Sequence, residues 1–402
     1  MNEKRNPPTA ETPAASPDAA LTESEKRGKS AARFPASVLL APDSFKGSLS
    51  ASRFCEIASD ELRRLRPEIR VRSLPIADGG EGTLETLRAA LGGRIETVRT
   101  LDPFGDPCEA EILITSADEA VIEIARCVGL SLVTGREDPE KTSTVGIGRL
   151  IAEAADRGAK RILLTLGGSC TNDCGAGMLA AMGFRFLDRS GESFVPTGGT
   201  LGNVAAIEKT PAFDRFSGIR FTAMCDVRNP LCGKDGCARV FAPQKGADTD
   251  AVERLDAGAR SFARVCADLL GTDVSGTEGA GAAGGLGFAC RAFLNAELKS
   301  GIETVLDLCG FDRLSASADL VITGEGRFDA QSMMGKAIGG IFARSAAPVA
   351  VLCGQYVPFD APEEKKPAAV VPIAEGQPLG YALGHAEENL RAGIARLLSR
   401  FD

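Results

Sequence analysis

The amino-acid sequence predicts an α/β fold with largely parallel sheets that are covered by helices on both faces. Short runs rich in Val, Ile and Leu alternate along the chain with stretches whose apolar residues recur at helical spacing. Most of the short runs end in polar or Gly-rich turns, as strands of parallel sheets commonly do at a ligand site. Because 402 residues exceed what one hydrophobic core serves well, we expect two domains.

The individual elements follow from the spacing of the apolar residues. A strand at 37–41 leads into a helix over 48–65, whose apolar residues lie three and four positions apart. The stretch 109–125 has two apolar runs joined by a short polar turn, which predicts a β-hairpin. The last 25 residues carry an amphipathic helix. Further strands are predicted at 69–76, 161–166, 219–227, 318–324 and 347–354, and a further helix at 84–91.

Composition excludes several classes of function. The net charge of −8, from 46 basic and 54 acidic residues, argues against a nucleic-acid partner. Since no apolar run approaches the roughly 18 residues of a membrane span, no membrane partner is expected. The single histidine, His385, lies in a predicted surface helix, which argues against Ser-His-Asp catalysis and His-ligated zinc. Chemistry is therefore expected to depend on carboxylates, lysine, hydroxyls and backbone amides.

Residues 1–35 are expected to form a disordered tail, because they are rich in Pro, Ala, Ser and Glu and almost lack large apolar side chains. They contain no apolar segment of a signal peptide, and their acidic residues argue against an organellar transit peptide. We therefore expect a cytoplasmic protein. In that reducing compartment the twelve cysteines are expected to be free thiols.

Four predicted strands end in turns of similar composition. Glycine lets the backbone approach a ligand, and amides at the start of the next helix attract anions. Each turn also carries an aspartate, and a site that combines anions with carboxylates requires a bridging cation. Any one turn could simply reverse the chain, but four together favour a site for Mg²⁺ with a nucleoside triphosphate. The turns are 41–48 (APDSFKGS), 76–83 (IADGGEGT), 166–173 (LGGSCTND) and 323–331 (TGEGRFDAQ).

Neither of two familiar nucleotide-binding motifs fits this chain. No GxxxxGK[ST] is present, which argues against a P-loop NTPase. A GxGxxG formed by Gly279, Gly281 and Gly284 follows no buried strand, so a flexible loop at a domain boundary or near phosphates is favoured over a dinucleotide site. The stretch 225–248, which contains Lys245, is a fifth polar segment for which a structural turn and a functional site are equally favoured.

Seven stretches carry these features in a fixed order: LAPDSFKGSLSA, PIADGGEGT, LGGSCTNDCGAGML, CDVRNPLCG, FAPQKGAD, GAGAAGGLG and ADLVITGEGRFDAQSMMGKA. In this order they resemble the bacterial glycerate kinase family of the first type, from about residue 37 to about 355. The resemblance implies ATP-dependent phosphorylation of D-glycerate, with ATP and Mg²⁺ as cofactors. It also implies two α/β domains with a cleft between them. One is Rossmann-like and discontinuous (36–78 and 290–402), and the other is inserted (79–289).

The resemblance also implies roles for individual residues. Phosphoryl transfer requires mainly positioning and charge stabilisation, and Lys46 is expected to pair with the migrating or substrate negative charge. Asp78 and Asp226 are candidates for Mg²⁺ contact or for accepting the hydroxyl proton, with Asp78 in the more closely matching turn. Arg327 is the candidate for bidentate recognition of the glycerate carboxylate. Other expected contacts to substrate or phosphate are Asp43, Ser44, Ser48, Gly79, Gly80, Glu81, Gly168, Ser169, Thr171, Asn172, Asp173, Gly324, Glu325, Asp329, Gln331 and Lys336.

Three alternatives stay open at the level of sequence. The expected product is 2-phosphoglycerate, but 3-phosphoglycerate or phosphorylation of another small hydroxy acid is also compatible with the motifs. A non-catalytic ligand-binding sensor is the third, motivated by Cys170 and Cys174 at positions where the family more often has Ala and Gly. The oligomeric state is open as well.

Overall fold

The computed structural model describes residues 35–77, 79–80, 82–115, 118–333, 337–360 and 366–401. Over these ranges the α/β prediction is confirmed, because strands and helices alternate and the two larger sheets are wholly or mainly parallel. The predicted tail, up to residue 34, lies outside the described residues, as do the predicted site residues Asp78, Glu81 and Lys336. In the described part of the chain, no helix is both long and apolar enough to cross a membrane.

A five-stranded parallel sheet combines the two ends of the chain. Its strand order is β14-β13-β12-β1-β2, with β1 at Ser37–Leu40, β2 at Arg70–Ser73, β12 at Leu320–Phe328, β13 at Val349–Tyr356 and β14 at Ala369–Pro372. Strand β1 pairs with β12 in the register Val38 to Leu320. The carboxylate of Asp319 accepts hydrogen bonds from the backbone N–H and the hydroxyl of Ser37, both at 2.9 Å, which fixes this long-range pairing.

A six-stranded mixed sheet is built from the middle of the chain. Its order is β11-β10-β6-β5-β4-β3, with β3 at Arg94–Leu101, β4 at Pro107–Ile114, β5 at Glu119–Glu123, β6 at Arg161–Thr165, β10 at Arg220–Met224 and β11 at Glu297–Lys299. The antiparallel pair β4 and β5 confirms the predicted hairpin. The pairs β5–β6, β6–β10 and β10–β11 are parallel.

The remaining described strands form a small antiparallel sheet that was not predicted from the sequence. It contains β7 at Phe184–Leu187, β8 at Ser193–Phe194 and β9 at Ala206–Lys209. The helices are α1 Ala51–Leu65, α2 Thr83–Leu91, α3 Ala125–Val128, α4 Val145–Asp156, α5 Ala176–Met182, α6 Cys237–Phe241, α7 Thr249–Leu270, α8 Ala282–Leu294, α9 Gly301–Leu308, α10 Phe311–Ala316, α11 Ala337–Arg344, α12 Leu379–Gly384 and α13 Ala386–Leu398.

Helices and sheets stack in layers, as alternation along β1 shows. Val38 and Leu40 face α1 and α13, while Leu39 faces the opposite side of the sheet. On that side, apolar residues of α2, α9 and α11 pack between the five-stranded and the six-stranded sheets. The other face of the six-stranded sheet packs against α4, α5 and α8. The core is thus shared between the two sheets; the domain boundaries stay a prediction.

The first helix begins later than the sequence predicts. Helix α1 starts at Ala51 instead of residue 48, because the side chain of Ser50 accepts the backbone N–H of Arg53 at 3.1 Å and caps the helix. Ser48 therefore lies in the preceding loop.

All twelve cysteines are free thiols, and burial raises the pKa of seven of them, among them Cys127 and Cys170, to about 12.

Candidate functional site

A cavity of about 1000 Å³ opens at the carboxyl ends of the five-stranded sheet. This is the edge at which open α/β sheets bind ligands. Polar residues predicted from the sequence line one side of it, and β13, β14 and α12 supply the other walls. The predicted residues in its lining are Asp43, Ser44, Lys46, Ser48, Glu325 and Arg327.

The loop after β1 directs Lys46 to this cavity. The backbone N–H of Asp43 donates to the carbonyl of Gly324 at 2.9 Å, so the loop begins beside β12. Phe45 is buried and stacks on Phe54 with ring centroids 5.6 Å apart. Gly47, at φ +80°, then turns the chain back, which leaves Lys46 exposed. Lys46 makes no ion pair with any residue that the structure describes, so its ammonium group is available to an anion.

The turn after β12 arranges the second group of predicted residues. Arg327 is ion-paired with Asp329, with 3.0 Å between Nε and Oδ2. The other carboxylate oxygen of Asp329 accepts the backbone N–H of Gln331 at 2.9 Å, so this aspartate holds the turn together. Glu325 and Arg327 line the cavity, and Asp329 lies behind Arg327 as its partner.

A second cluster of predicted residues lies at the ends of the six-stranded sheet. The loop after β6 lies against the loop after β2, since a Cβ on Gly167 would come within 3.0 Å of the carbonyl oxygen of Gly79. A Cβ on Gly79 would in turn lie 3.5 Å from Met224 at the end of β10. Gly79 and Gly80 thus meet Gly167, the neighbour of the predicted residue Gly168, where β6 and β10 end.

The two clusters are joined by a short piece of chain. The backbone N–H of Ile76 donates to the carbonyl of Pro42 at 2.9 Å, next to Asp43. From Ile76 to Gly79 the chain spans at most about 11 Å. The cavity at the five-stranded sheet and the glycine loops at the six-stranded sheet are therefore close enough to serve two parts of one reaction.

Asp226 and Asp173 both hold the start of a helix. Oδ1 of Asp226 accepts the backbone N–H of Gly301 at 2.8 Å and the hydroxyl of Ser300 at 3.2 Å, which caps α9. Asp173 is fully buried, and its carboxylate accepts the backbone N–H and hydroxyl of Thr144 and two N–H groups at the start of α5. Burial raises the pKa of Asp173, while these hydrogen bonds lower it in part.

Comparison with known proteins decides the family of this chain. A model of the glycerate kinase family matches residues 38–401. The chain belongs to the glycerate kinase family. The glycerate kinase of Bacillus subtilis strain 168 is 44% identical over 306 residues, which are 76% of this chain and 80% of that protein. The glycerate 2-kinase of Escherichia coli K12 is 40% identical over 306 residues, with the same two shares.

A solved structure supports the same assignment. It is assigned as a glycerate kinase 2 from Salmonella typhimurium LT2, is 38% identical to this chain and superposes with a TM-score of 0.79. The match covers 90% of this chain and 97% of that chain. The resemblance seen in the seven motifs is therefore confirmed, and the chain is a kinase enzyme.

The described part of this glycerate kinase offers oxygen ligands that suit magnesium with a nucleotide. Mg²⁺ in phosphoryl-transfer sites is usually held by one or two carboxylates together with phosphates and water. Asp43 and Glu325 supply carboxylates at the cavity, and Asp226 supplies one at the second cluster. Within the described ranges no group of three His, Cys, Asp or Glu side chains forms a site made of protein ligands alone. This donor set fits a magnesium ion that is bound together with its nucleotide.

Two residues of this kinase that the sequence did not single out lie at the predicted loops. Lys245 is buried behind the loop after β6, where its ammonium group contacts Thr171 and Ser169. Glu123, at the end of β5, contacts the first turn of α2. Lys245 lies in the FAPQKGAD motif and could have been selected from it. Glu123 lies in a plain strand sequence, so only its position in the fold singles it out.

Proposed function

We propose that this kinase transfers the γ-phosphoryl group of Mg·ATP to the 2-hydroxyl of D-glycerate, in the cytoplasm and as part of organic-acid metabolism. The observation that carries the proposal is the cavity at the carboxyl ends of the five-stranded sheet, which Lys46 lines together with Asp43 and Glu325. Its volume of about 1000 Å³ is sufficient for a nucleotide. The name of the Escherichia coli relative supports transfer to the 2-position.

The chemistry of the transfer suits these residues. The hydroxyl oxygen of glycerate forms a bond to the γ-phosphorus, the bond from that phosphorus to the β-phosphate oxygen breaks, and ADP leaves. The hydroxyl proton passes to a carboxylate, for which Asp78 and Asp226 stay the candidates. Magnesium, when bound, neutralises charge on the β- and γ-phosphates. Lys46 stabilises the negative charge that migrates during transfer, because its ammonium group faces the cavity without a protein counter-ion among the described residues.

The deciding experiment is product analysis with the purified protein, Mg·ATP and D-glycerate. Enolase alone converts 2-phosphoglycerate, whereas 3-phosphoglycerate reacts only after phosphoglycerate mutase is added. We expect a signal with enolase alone. A signal that requires the mutase would assign transfer to the 3-hydroxyl instead. Bound ATP without any phosphorylated product would reject the proposal in favour of another hydroxy acid or of a ligand sensor.

A further inference from the structure

Lys245 is a buried lysine whose ammonium group meets only neutral acceptors. Its side chain is 2% exposed. Its Nζ donates to the backbone carbonyl of Thr171 at 2.6 Å and to the hydroxyl of Ser169 at 3.1 Å. No carboxylate of the described chain lies within ion-pair distance of it. One of its three N–H bonds is left for a further acceptor.

The loop that Lys245 contacts contains buried polar groups without partners. The amide nitrogen and amide oxygen of Asn172 and the hydroxyl of Thr171 are closed to water, and none of them has a hydrogen-bond partner among the described residues. Asn172 and Thr171 are both fully buried. Buried polar groups in proteins nearly always have partners, so three unpaired atoms in the loop that Lys245 contacts indicate a missing ligand.

The combination of groups identifies the chemistry of that ligand. A buried ammonium group is costly unless an anion pairs with it, and burial lowers the pKa of Lys245 to about 8. The amide of Asn172 offers both a donor and an acceptor. A phosphate dianion would accept from the Lys245 ammonium group and the Asn172 amide nitrogen, but it would leave the Asn172 amide oxygen unpaired. A hydroxy acid has a carboxylate for the ammonium group and a hydroxyl that can donate to the amide oxygen.

We propose that Lys245 binds the carboxylate of the hydroxy-acid substrate and that Asn172 and Thr171 bind its hydroxyl groups. This inference rests on the proposed function and assigns the acceptor subsite within it. Ser169, 7% exposed, lies between Lys245 and the exposed Gly168. The substrate carboxylate reaches Nζ by replacing the Ser169 hydroxyl. Because Gly167 lies against Gly79 and Gly80, the substrate would bind at the edge of the six-stranded sheet where these glycine turns meet.

The assignment differs from the role expected for Arg327. That guanidinium is 63% exposed and already paired with Asp329 at 3.0 Å, in the cavity at the other sheet. Its charge is therefore compensated by an ion pair within the protein, whereas Lys245 makes no ion pair with any described residue. On this argument Arg327 serves the nucleotide side and Lys245 serves the acceptor side.

The test compares D-glycerate with its uncharged analogue D-glyceramide in the full-length protein. The variants are Lys245→Met, which keeps the unbranched shape and most of the length of the side chain without its charge, and Lys209→Met as control. Lys209 is 52% exposed and paired with Asp214 on the small sheet. In Lys245→Met we expect the KM for D-glycerate to rise about 100-fold, the KM for ATP to stay within about threefold, and the preference for glycerate over glyceramide to be lost. The control should match the wild type in all three.

Two outcomes would overturn the inference. One is an unchanged preference for glycerate in a folded Lys245→Met protein, and the other is an equal loss for ATP and glycerate. If Lys245→Met does not fold, Asn172→Ala takes its place, because that amide makes no hydrogen bond within the described chain. It should weaken D-glycerate binding about tenfold in a calorimetric titration, and unchanged binding would reject the subsite.

The titration also separates this inference from the proposed function. If the wild type binds D-glycerate but does not phosphorylate it, the kinase assignment to glycerate fails while the subsite stands. If the wild type phosphorylates D-glycerate and both variants bind it normally, the kinase assignment stands and the subsite fails.

Discussion

The backbone N–H of Leu84 donates to the carboxylate of Glu123 at 3.0 Å. A second N–H, that of Gly82, donates to the other oxygen at 3.3 Å, and Glu123 is 1% exposed. A carboxylate from β5 thus occupies the N-terminus of α2, the position at which a helix would otherwise attract a phosphate. The backbone N–H groups of Gly82 and Leu84 are therefore satisfied by Glu123, and we expect Glu123 to position this turn at the sheet edge.

Replacing this carboxylate should loosen the turn. In Glu123→Gln, one accepting oxygen becomes an N–H₂ group that faces a backbone donor. We expect the free energy of unfolding to fall by about 1–3 kcal/mol and kcat to fall about tenfold with an unchanged KM for ATP. Chemical denaturation and steady-state kinetics measure both. Glu109→Gln on β4 is the control, since Glu109 is exposed and only loosely paired with Arg99 at 4.0 Å. A kcat equal to that of the control would contradict the positioning role.

Lys46 should matter for the reaction and hardly for the fold. Because its side chain is exposed and makes no ion pair with a described residue, Lys46→Ala should change the free energy of unfolding by no more than about 0.5 kcal/mol. The rate of ADP release in the presence of D-glycerate should fall at least about 100-fold, because a group that stabilises transition-state charge is lost. A coupled ADP assay and thermal unfolding test this. Wild-type kinetics in the alanine variant would exclude Lys46 from the transfer.

The GxGxxG segment should be required for packing. Gly284 has φ +66°, and a Cβ there would lie 1.9 Å from the carbonyl oxygen of Thr171. Gly284→Ala should therefore destabilise the protein by about 3 kcal/mol or more. Gly276→Ala is the matched control, because nothing lies within 4 Å of its Cβ position. Equal stability of the two variants in urea would show that the α8 start can move away from the loop after β6.

The buried Lys245 should give the protein a distinct pH dependence. Its pKa is lowered from 10.5 to about 8 by burial, against the opposing influence of Cys237, Cys170 and Asp173. Between these two values the unfolded chain holds a proton that the folded chain has released, so stability rises with pH over this range. We expect the wild type to gain up to about 3 kcal/mol relative to Lys245→Met between pH 8 and 10.5. Chemical denaturation of both proteins at pH 7.5 and pH 10 measures this difference in the free energy of unfolding. A difference that is the same at both pH values would contradict the prediction.

The sequence predicts the architecture well because periodicity and turn composition are local signals. The hairpin at β4 and β5 and the C-terminal helix α13 appear where the apolar spacing puts them. The predicted start of α1 was wrong by three residues. Ser48 and Ser50 are equally good N-caps by residue type, and only the structure shows that the side chain of Ser50 caps the helix, while the hydroxyl of Ser48 donates to the carbonyl of Phe45.

The site is predictable only in part, for a physical reason. Composition identifies Asp43, Lys46 and Glu325 as polar residues at strand ends, and the fold brings them to one cavity. Composition does not show that the carboxylate of Asp173 accepts hydrogen bonds from buried donors of the protein, or that Lys245 is buried against the loop after β6. Burial and hydrogen-bond partners depend on contacts between distant segments, which no local pattern encodes. The contributions of Asp78, Glu81 and Lys336 stay predictions, because these residues lie outside the described structure.

The bond between Ser37 and Asp319 joins residues 282 positions apart. During synthesis, β1 therefore leaves the ribosome long before its neighbour β12 exists, while every strand of the six-stranded sheet is complete by Lys299. The middle of the chain can consequently assemble first, and the apolar β1 with its helix α1 has to wait. We therefore expect the segment that carries Lys46 to stay exposed until β12 has been made, and the cavity at the five-stranded sheet to form after the six-stranded sheet.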